Sequence, residues 1–397
     1  MKWSSAVSES PSLPHARSQC ADDIKRDLGE RSPDLIMLFV SSHHTEEEGY
    51  AKIPELVRRH FGEGLLLGCS ARGVIGSGRE VEGRPGLAMT AGHLPDVRIL
   101  PFYVDEGDLP DKDSAPETWE VLANTRKANE PTFILLSDPF SVETDDLLSG
   151  LDYAFPGCTK IGGLASGGRK PRENTLYLRE HVYRSGCVGV SLQGSIAVDT
   201  LVAQACRPVG EPMRVTACDD RALLEVEGRK PLEVLGGLFD ALFGRDRELV
   251  GSLLNLGIAM EPVKEAPGLG DFLIRNIIGV DYELGALAVS ETLREGMTVQ
   301  FHLRDAETSE QEVGDALSRY SLENTIDEDS GALLFSSLGR GSGLYGRADH
   351  DTDMFKRKVG PMPLTGFFCD GEIGPVGGST FLHAYTSSFG IFRRKET

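Results

Sequence analysis

Two glycine-punctuated segments in the last third of the chain hold the residues best placed to do chemistry. Phe335-Ser-Ser-Leu-Gly-Arg-Gly341 and Gly366-Phe-Phe-Cys-Asp-Gly-Glu-Ile-Gly-Pro375 each close an apolar, strand-like run with a turn. They offer Arg340 and Glu372 as charges of opposite sign. A guanidinium fork suits a carboxylate and a carboxylate suits an ammonium, so the two could grip a zwitterion. The plainer alternative is that they pair with each other across the turns. Cys369, and Cys69 in the segment GCSARG (68–73), also end apolar runs beside glycine turns. A thiol there could line a pocket and become reactive. Cysteine is also among the most buried residue types, and an inert thiol in the core is the default.

Other motifs fail on their own spacing. GSGLYG (341–346) fits the dinucleotide pattern GxGxxG, with Asp370 at the end of the next expected strand. However, residues 347–358 carry too little apolar periodicity for a packed crossover helix, and so near the C-terminus no parallel sheet is expected to follow. A glycine-rich turn is the expectation. In GLASGGRK (163–170), Arg169 separates the last glycine from the lysine and Pro171 follows, which breaks the phosphate-loop pattern. Asp349, Asp351 and Asp353 alternate like calcium ligands, but Met354 and Gly360 stand where the loop needs Gly and Glu. His43, His44 and His350 have no partners at metal-ligand spacing. Ser70 lies in GCSARG, one residue too long for a nucleophile elbow.

Composition limits the classes further. The chain has 397 residues, with 41 Lys and Arg against 61 Asp and Glu, giving a formal charge of −20. Such a surface repels a phosphate backbone, so no nucleic-acid partner is expected. At 40% hydrophobic and 26% charged residues the composition is that of an ordinary globular protein. No apolar run reaches the roughly 18 residues of a membrane helix, and MKWSSAVSESPSLP does not read as a secretory leader. Seven scattered cysteines without a CxxC pair argue against a zinc ribbon or a disulfide framework, so a cytoplasmic location is expected. No cofactor and no metal are expected.

The elements that must position these residues can be read from periodicity. Residues 1–32 read as a polar N-terminal arm with a short amphipathic stretch. Continuous apolar runs at 34–41, 65–67, 132–137, 332–336 and 364–369 predict buried strands. Helices are predicted over 50–61 (after a capping box Thr45–Glu48, with Pro54 implying a late start), 114–128, 141–155, 231–243 and 310–320. Residues 174–206 read as an antiparallel meander. The charged stretch 225–230 places a domain boundary near 228, giving domains of 33–228 and 229–397. ARGVIG (71–76) matches CDGEIG (369–374) at Gly73/Gly371, Ile75/Ile373 and Gly76/Gly374, a trace of duplication. The expected fold is α+β, with two related β-rich halves of mixed and antiparallel sheets and helices outside.

GFFCDGEIGP (366–375) followed by FLHAYTS (381–387) resembles the C-terminal signature of the FIST sensory-domain family, and LLGCSARGVIG (66–76) with KIGGLASGG (160–168) resembles its N-terminal half. The match runs over about residues 33–392. Members often carry Cys in the strand before the GRG turn where this chain has Ser337, so no thiol role carries over to that position. The resemblance implies a small-ligand-binding sensor for compounds such as amino acids, often coupled to signalling outputs in bacteria and found behind an F-box in eukaryotic ubiquitin-ligase receptors. Neither kind of attachment is expected in this chain. The family supplies no catalytic residues. Chemical inference on its motifs nominates Arg340, Glu372, Cys369 and Cys69, with Ser70 and Phe368 beside the thiols. Gly73, Gly162, Gly163 and Gly371 would line the same pocket. The expected function is a non-enzymatic sensor that signals through a separate partner protein or self-association. The alternatives are a protein-interaction adaptor and a thiol- or nucleotide-dependent enzyme.

Overall fold

The computed structural model describes residues 1–45, 50–111, 113–244, 246–247, 253–260 and 267–395. Glu46–Glu48 of the expected capping box lie outside them. The chain forms two compact units, one of residues 1–202, 313–382 and 386–397, the other of 203–312 and 383–385. The α+β class with mixed sheets holds for the whole chain.

The first unit is one motif used three times. The first copy runs β1 (Lys2–Ser8), α1 (Leu13–Leu28), β2 (Leu35–Ser41), α2 (Ile53–Phe61), β3 (Leu65–Ala71), β4 (Gly73–Gly76), β5 (Arg79–Glu82) and β6 (Leu87–His93). The second runs β7 (Val97–Val104), α3 (Pro116–Leu122), β8 (Thr132–Ser137), α4 (Thr144–Ala154), β9 (Lys160–Leu164), β10 (Leu176–Leu178), β11 (His181–Tyr183) and β12 (Cys187–Gly194). The third opens with β13 (Ala197–Gln204) and is then interrupted by the second unit: β14 (Cys206–Asp219), β15 (Ala222–Val226), α5 (Pro231–Ala241), β16 (Leu254–Ala259), β17 (Phe272–Asp281), β18 (Ala286–Val289) and β19 (Thr298–Arg304). It resumes with α6 (Ala306–Glu323), β20 (Gly331–Ser337), α7 (Gly341–Tyr345), α8 (His350–Lys358), β21 (Leu364–Cys369), β22 (Glu372–Val376), β23 (Ser379–His383) and β24 (Thr386–Arg393).

Each copy pairs its second and third strands in parallel, β2 with β3, β8 with β9 and β20 with β21, and returns its last strand antiparallel to the second. The intervening hairpin leaves for a neighbouring sheet. Thus β4–β5 extends the third sheet at β21, β10–β11 extends the first at β3, and β22–β23 extends the second at β9. This cyclic exchange closes three six-stranded sheets around one apolar cluster that includes Leu67, Leu136, Val190, Phe335 and Phe367. Helices cover the outer faces. Ile24 of α1 and Val57 of α2 pack on the first sheet, Trp119 and Leu148 on the second, and Phe355 of α8 stacks on Phe389 of the third at 5.7 Å.

The second unit is a closed antiparallel barrel in the order β14-β15-β18-β17-β16-β19. Irregularities in the pairing of β14, between Val209 and Met213 and again near Ala217, bend this long strand around the wall. Val215, Leu223, Leu256 and Phe301 fill its centre. Burial of His302 in the wall pulls the imidazole down to about 4, so it stays neutral.

Three sequence expectations change. Residues 2–28 form a strand and a helix, because Leu13, Ala16, Cys20, Ile24 and Leu28 make a complete apolar face of which only the second half stands out in the sequence. Residues 174–206 are not a single meander, since β12 pairs with β7 and β8 while β10–β11 lies on β3. A parallel strand does follow GSGLYG: β21 lies beside β20, with α7 and α8 as the crossover. The buried face of α8 includes His350, Asp351 and Thr352 beside Met354 and Phe355, so its polar residues mask an inward-facing helix.

Candidate functional site

The three parallel pairs share one device that fixes which residues correspond. Gly68, Gly162 and Gly366 sit opposite Leu38, Leu135 and Leu334, and a Cβ at any of the three glycines would overlap that leucine's carbonyl oxygen. The next residues, Cys69, Gly163 and Phe367, face Leu176, Glu372 and Val74 on the exchanged hairpins. Leu176, Glu372 and Val74 are therefore equivalent positions, and all three are fully buried. Two copies place an aliphatic side chain there and the third places a carboxylate.

Glu372 opens β22. The Thr386 backbone N–H and hydroxyl donate to its Oε2 at 3.1 and 2.8 Å. Its Oε1 is buried and has no hydrogen-bond partner among the described residues. Burial raises the carboxyl to about 8 against the pull of Thr386 and Arg340, so at neutral pH it holds its proton. Cys369 lies beside it, and a Cβ on Gly163 would overlap the Cys369 sulfur. The Cys69 and Cys369 thiols are both fully buried, and burial pushes both up. Neither is a thiolate in this conformation, and a protonated thiol is a weak nucleophile.

Arg340 is also buried, but its partner is Asp351 of α8. Nε and Nη2 donate to the two carboxylate oxygens at 3.0 and 3.2 Å, and Nη2 donates to the Tyr345 hydroxyl at 2.5 Å. Asp351 also accepts the Ser387 hydroxyl at 2.6 Å and lies 2.9 Å from His350 Nδ1. Burial opposes its ionisation, yet the guanidinium and these hydrogen bonds hold the carboxyl well below the usual range. The Tyr345 and His350 rings stack at 3.4 Å. Glu80 of β5 accepts the Thr352 N–H at 2.9 Å, and burial together with the Asp351 charge raises it to about 8. Its neighbour Glu82 accepts the Ser342 N–H at 2.9 Å, so a protein carboxylate already occupies the turn where a dinucleotide would place its pyrophosphate.

The other nominated residues fall around this centre or in a second network. Phe368 packs on Gly73, where a Cβ would come within 2.8 Å of the ring, and the Gly371 carbonyl accepts the Leu164 N–H at 2.8 Å. Gly162 is one of the three strand-crossing glycines. Ser70 belongs elsewhere: its hydroxyl accepts the Thr175 N–H at 2.9 Å and faces Asn174, which donates to Asp138. Asp349, Asp351 and Asp353 diverge to the Glu80 N–H, Arg340 and Arg347. Clefts of about 570, 770, 300 and 360 Å³ mark the surface of the first unit, and Arg340, Cys369 and Glu372 line none of them. The cluster is enclosed.

Comparison with known proteins places the chain. A model described as the FIST N domain matches residues 34–229, and one described as the FIST C domain matches residues 231–375. The chain belongs to the FIST family. FIST domains are sensory, ligand-binding domains. Relatives include the uncharacterized protein Rv0628c of Mycobacterium tuberculosis, 33% identical over 99% of this chain and 100% of its own length. Mb0898c of Mycobacterium bovis, also uncharacterized, is 32% identical over 99% of each. Among solved structures, a cyanuric acid hydrolase from A. caulinodans aligns over 100% of both chains at 9% identity and a TM-score of 0.38.

Sequence reasoning missed Asp351, Ser387, Thr386 and Glu80 as members of this FIST cluster. FLHAYTS (381–387) carries two of them as part of the family signature, but as hydroxyls that gave no chemical signal. Glu80 and Asp351 reach the cluster from a hairpin and a helix distant in sequence, and read singly each is an ordinary surface acid.

Proposed function

We propose that this FIST protein is a non-enzymatic cytoplasmic sensor of a small amine-bearing ligand, an amino acid or a similar small zwitterion, with Glu372 as its anchor. One observation carries the reading. A fully buried carboxyl group, with one oxygen held by Thr386 and the other unmatched among the described residues, stands where the two equivalent corners carry Val74 and Leu176. Burying such a group without a full set of partners is destabilising, and aliphatic residues fill the equivalent space. An ammonium would supply the donor that the ionised form of this group lacks.

The enclosure fits a sensor. A ligand reaches Glu372 only by rearranging the turns around it, so the bound state differs in conformation from the empty one, and that difference can be passed on. The partner that receives it would be a separate signalling protein or a second copy of the chain. The test is a thermal-shift screen of the whole protein against amino acids, small carboxylates and nucleotides. A specific ligand at 100 times its Kd stabilises by about 2.7 kcal/mol, an unmistakable rise in Tm. The expected outcome is a shift with one or a few amino acids that disappears in Glu372→Gln. No shift from any amino acid would overturn the reading.

A further inference from the structure

We infer that the Glu372 site reads the ligand through its ammonium alone, so that the primary amine left by removing the carboxylate of an amino-acid ligand binds comparably. The inference rests on the proposal of a ligand at Glu372. It follows from how the charges are already used. The Arg340 guanidinium, the obvious receptor for a ligand carboxylate, makes a two-point contact with Asp351 and bonds Tyr345. A ligand carboxylate sharing the guanidinium would put two buried carboxylates on one cation, and one that displaced Asp351 would strand it, and both are strongly unfavourable in a buried setting. Asp351 is further fixed by Ser387, so the ion pair belongs to the fold.

The surrounding field points the same way. The charged groups acting on Glu372 are Arg340, whose charge is matched by Asp351, and Asp370, which opposes its ionisation. Thr386 of β24 contributes donors to Oε2, and β9 faces it with Gly163, which brings no charge. A second negative group would enter an acid-rich corner, whereas a cation would be drawn in.

Proton balance follows. Empty Glu372 carries its proton at neutral pH because burial raises the carboxyl to about 8. Binding R–NH3⁺ converts the carboxylic acid to a carboxylate paired with the intact ammonium, and the carboxyl proton leaves to solvent. Affinity should then rise about tenfold per pH unit from 6 towards 8 and level off above.

The experiment is calorimetric titration and thermal shift of the full chain with matched triplets: alanine, ethylamine and propionate; serine and ethanolamine with glycolate's homologue 3-hydroxypropionate; leucine, isoamylamine and 4-methylpentanoate; lysine, cadaverine and 6-aminohexanoate. For the triplet that binds, the amine and amino acid should agree in Kd within about tenfold. A deaminated acid without a second amine should be silent, proton release should approach one per ligand at pH 7, and Glu372→Gln should abolish binding. Amino acids that bind while their amines do not would overturn this inference and leave the proposed function standing. Silence from amines and amino acids alike would overturn both. Amine binding that persists in Glu372→Gln would remove the site from Glu372.

Discussion

Val74, Leu176 and Glu372 occupy one place in three copies of the same corner, each opposite the residue that follows a strand-crossing glycine, and each is fully buried. The backbone does not require a charge there, because two copies pack without one. The corners also differ in what surrounds them. The first two end in Ala71 and Ala165, whereas the third ends in Cys369 and is flanked by the Arg340–Asp351 pair and Thr386. An internal repeat thus acts as its own control, separating what the fold needs from what one copy has added.

The sharpest way to break the comparison is to remove a charge from the third corner. Arg340→Ala should destabilise the protein by about 3–5 kcal/mol, since it strands Asp351 in the interior, and Arg340→Met with Asp351→Leu should recover most of that loss. Denaturant unfolding checks both. A small loss in the single variant would mean that the pair is solvated in solution and that the enclosure is wrong. Moving a charge the other way should come next. Val74→Glu, which gives the first corner the acid without Thr386's counterpart, should cost about 3 kcal/mol. If Val74→Glu were tolerated as well as Glu372 is, the third corner would hold nothing special.

A smaller and pH-dependent effect isolates Glu372 itself. Its carboxyl is raised in the folded protein from 4.5 to about 8, so its contribution is fully present below about pH 4.5. As pH rises through that window the unfolded chain ionises first and stability falls, by no more than about 1.4 kcal/mol per pH unit. Glu372→Gln lacks this dependence while Glu80 is common to both proteins. The variant should therefore gain on the wild type steadily between pH 5 and 8, and the gain should stop above 8. A flat difference across that range would show a solvated carboxylate.

How much of this could be read from sequence follows from where each signal lies along the chain. The strands at 132–137 and 364–369 matched their expected limits because strands buried on both faces are unbroken apolar runs. ARGVIG and CDGEIG exposed two of the three corners because three residues of backbone fix each of them. The second copy was hidden, since ten residues lie between Ala165 and Leu176 where two lie between Ala71 and Val74. Arg340 and Glu372 stood out as charges among glycines. Their partners did not, because Asp351 lies on a helix with a polar buried face and Thr386 and Ser387 lie on the last strand. Exchange of hairpins between sheets is a relation among distant segments, and no local period records it.

The mildest test asks how tightly the third corner is closed around its thiol. Gly163 lies opposite Glu372, and a Cβ there would overlap the Cys369 sulfur and come within 3.2 Å of the Gly371 carbonyl oxygen. Gly163→Ala should therefore destabilise by about 1–2 kcal/mol through overpacking. Cys369→Ala removes the sulfur and leaves a small void, so it should cost about 1 kcal/mol on its own. Combined, the new methyl occupies the space the sulfur vacated, and the double variant should be more stable than the sum of the single losses predicts. Residues in contact couple in this way, and residues held apart by an open pocket do not. Strict additivity would mean that the corner is already open in solution, with room beside Glu372 for a ligand before any rearrangement.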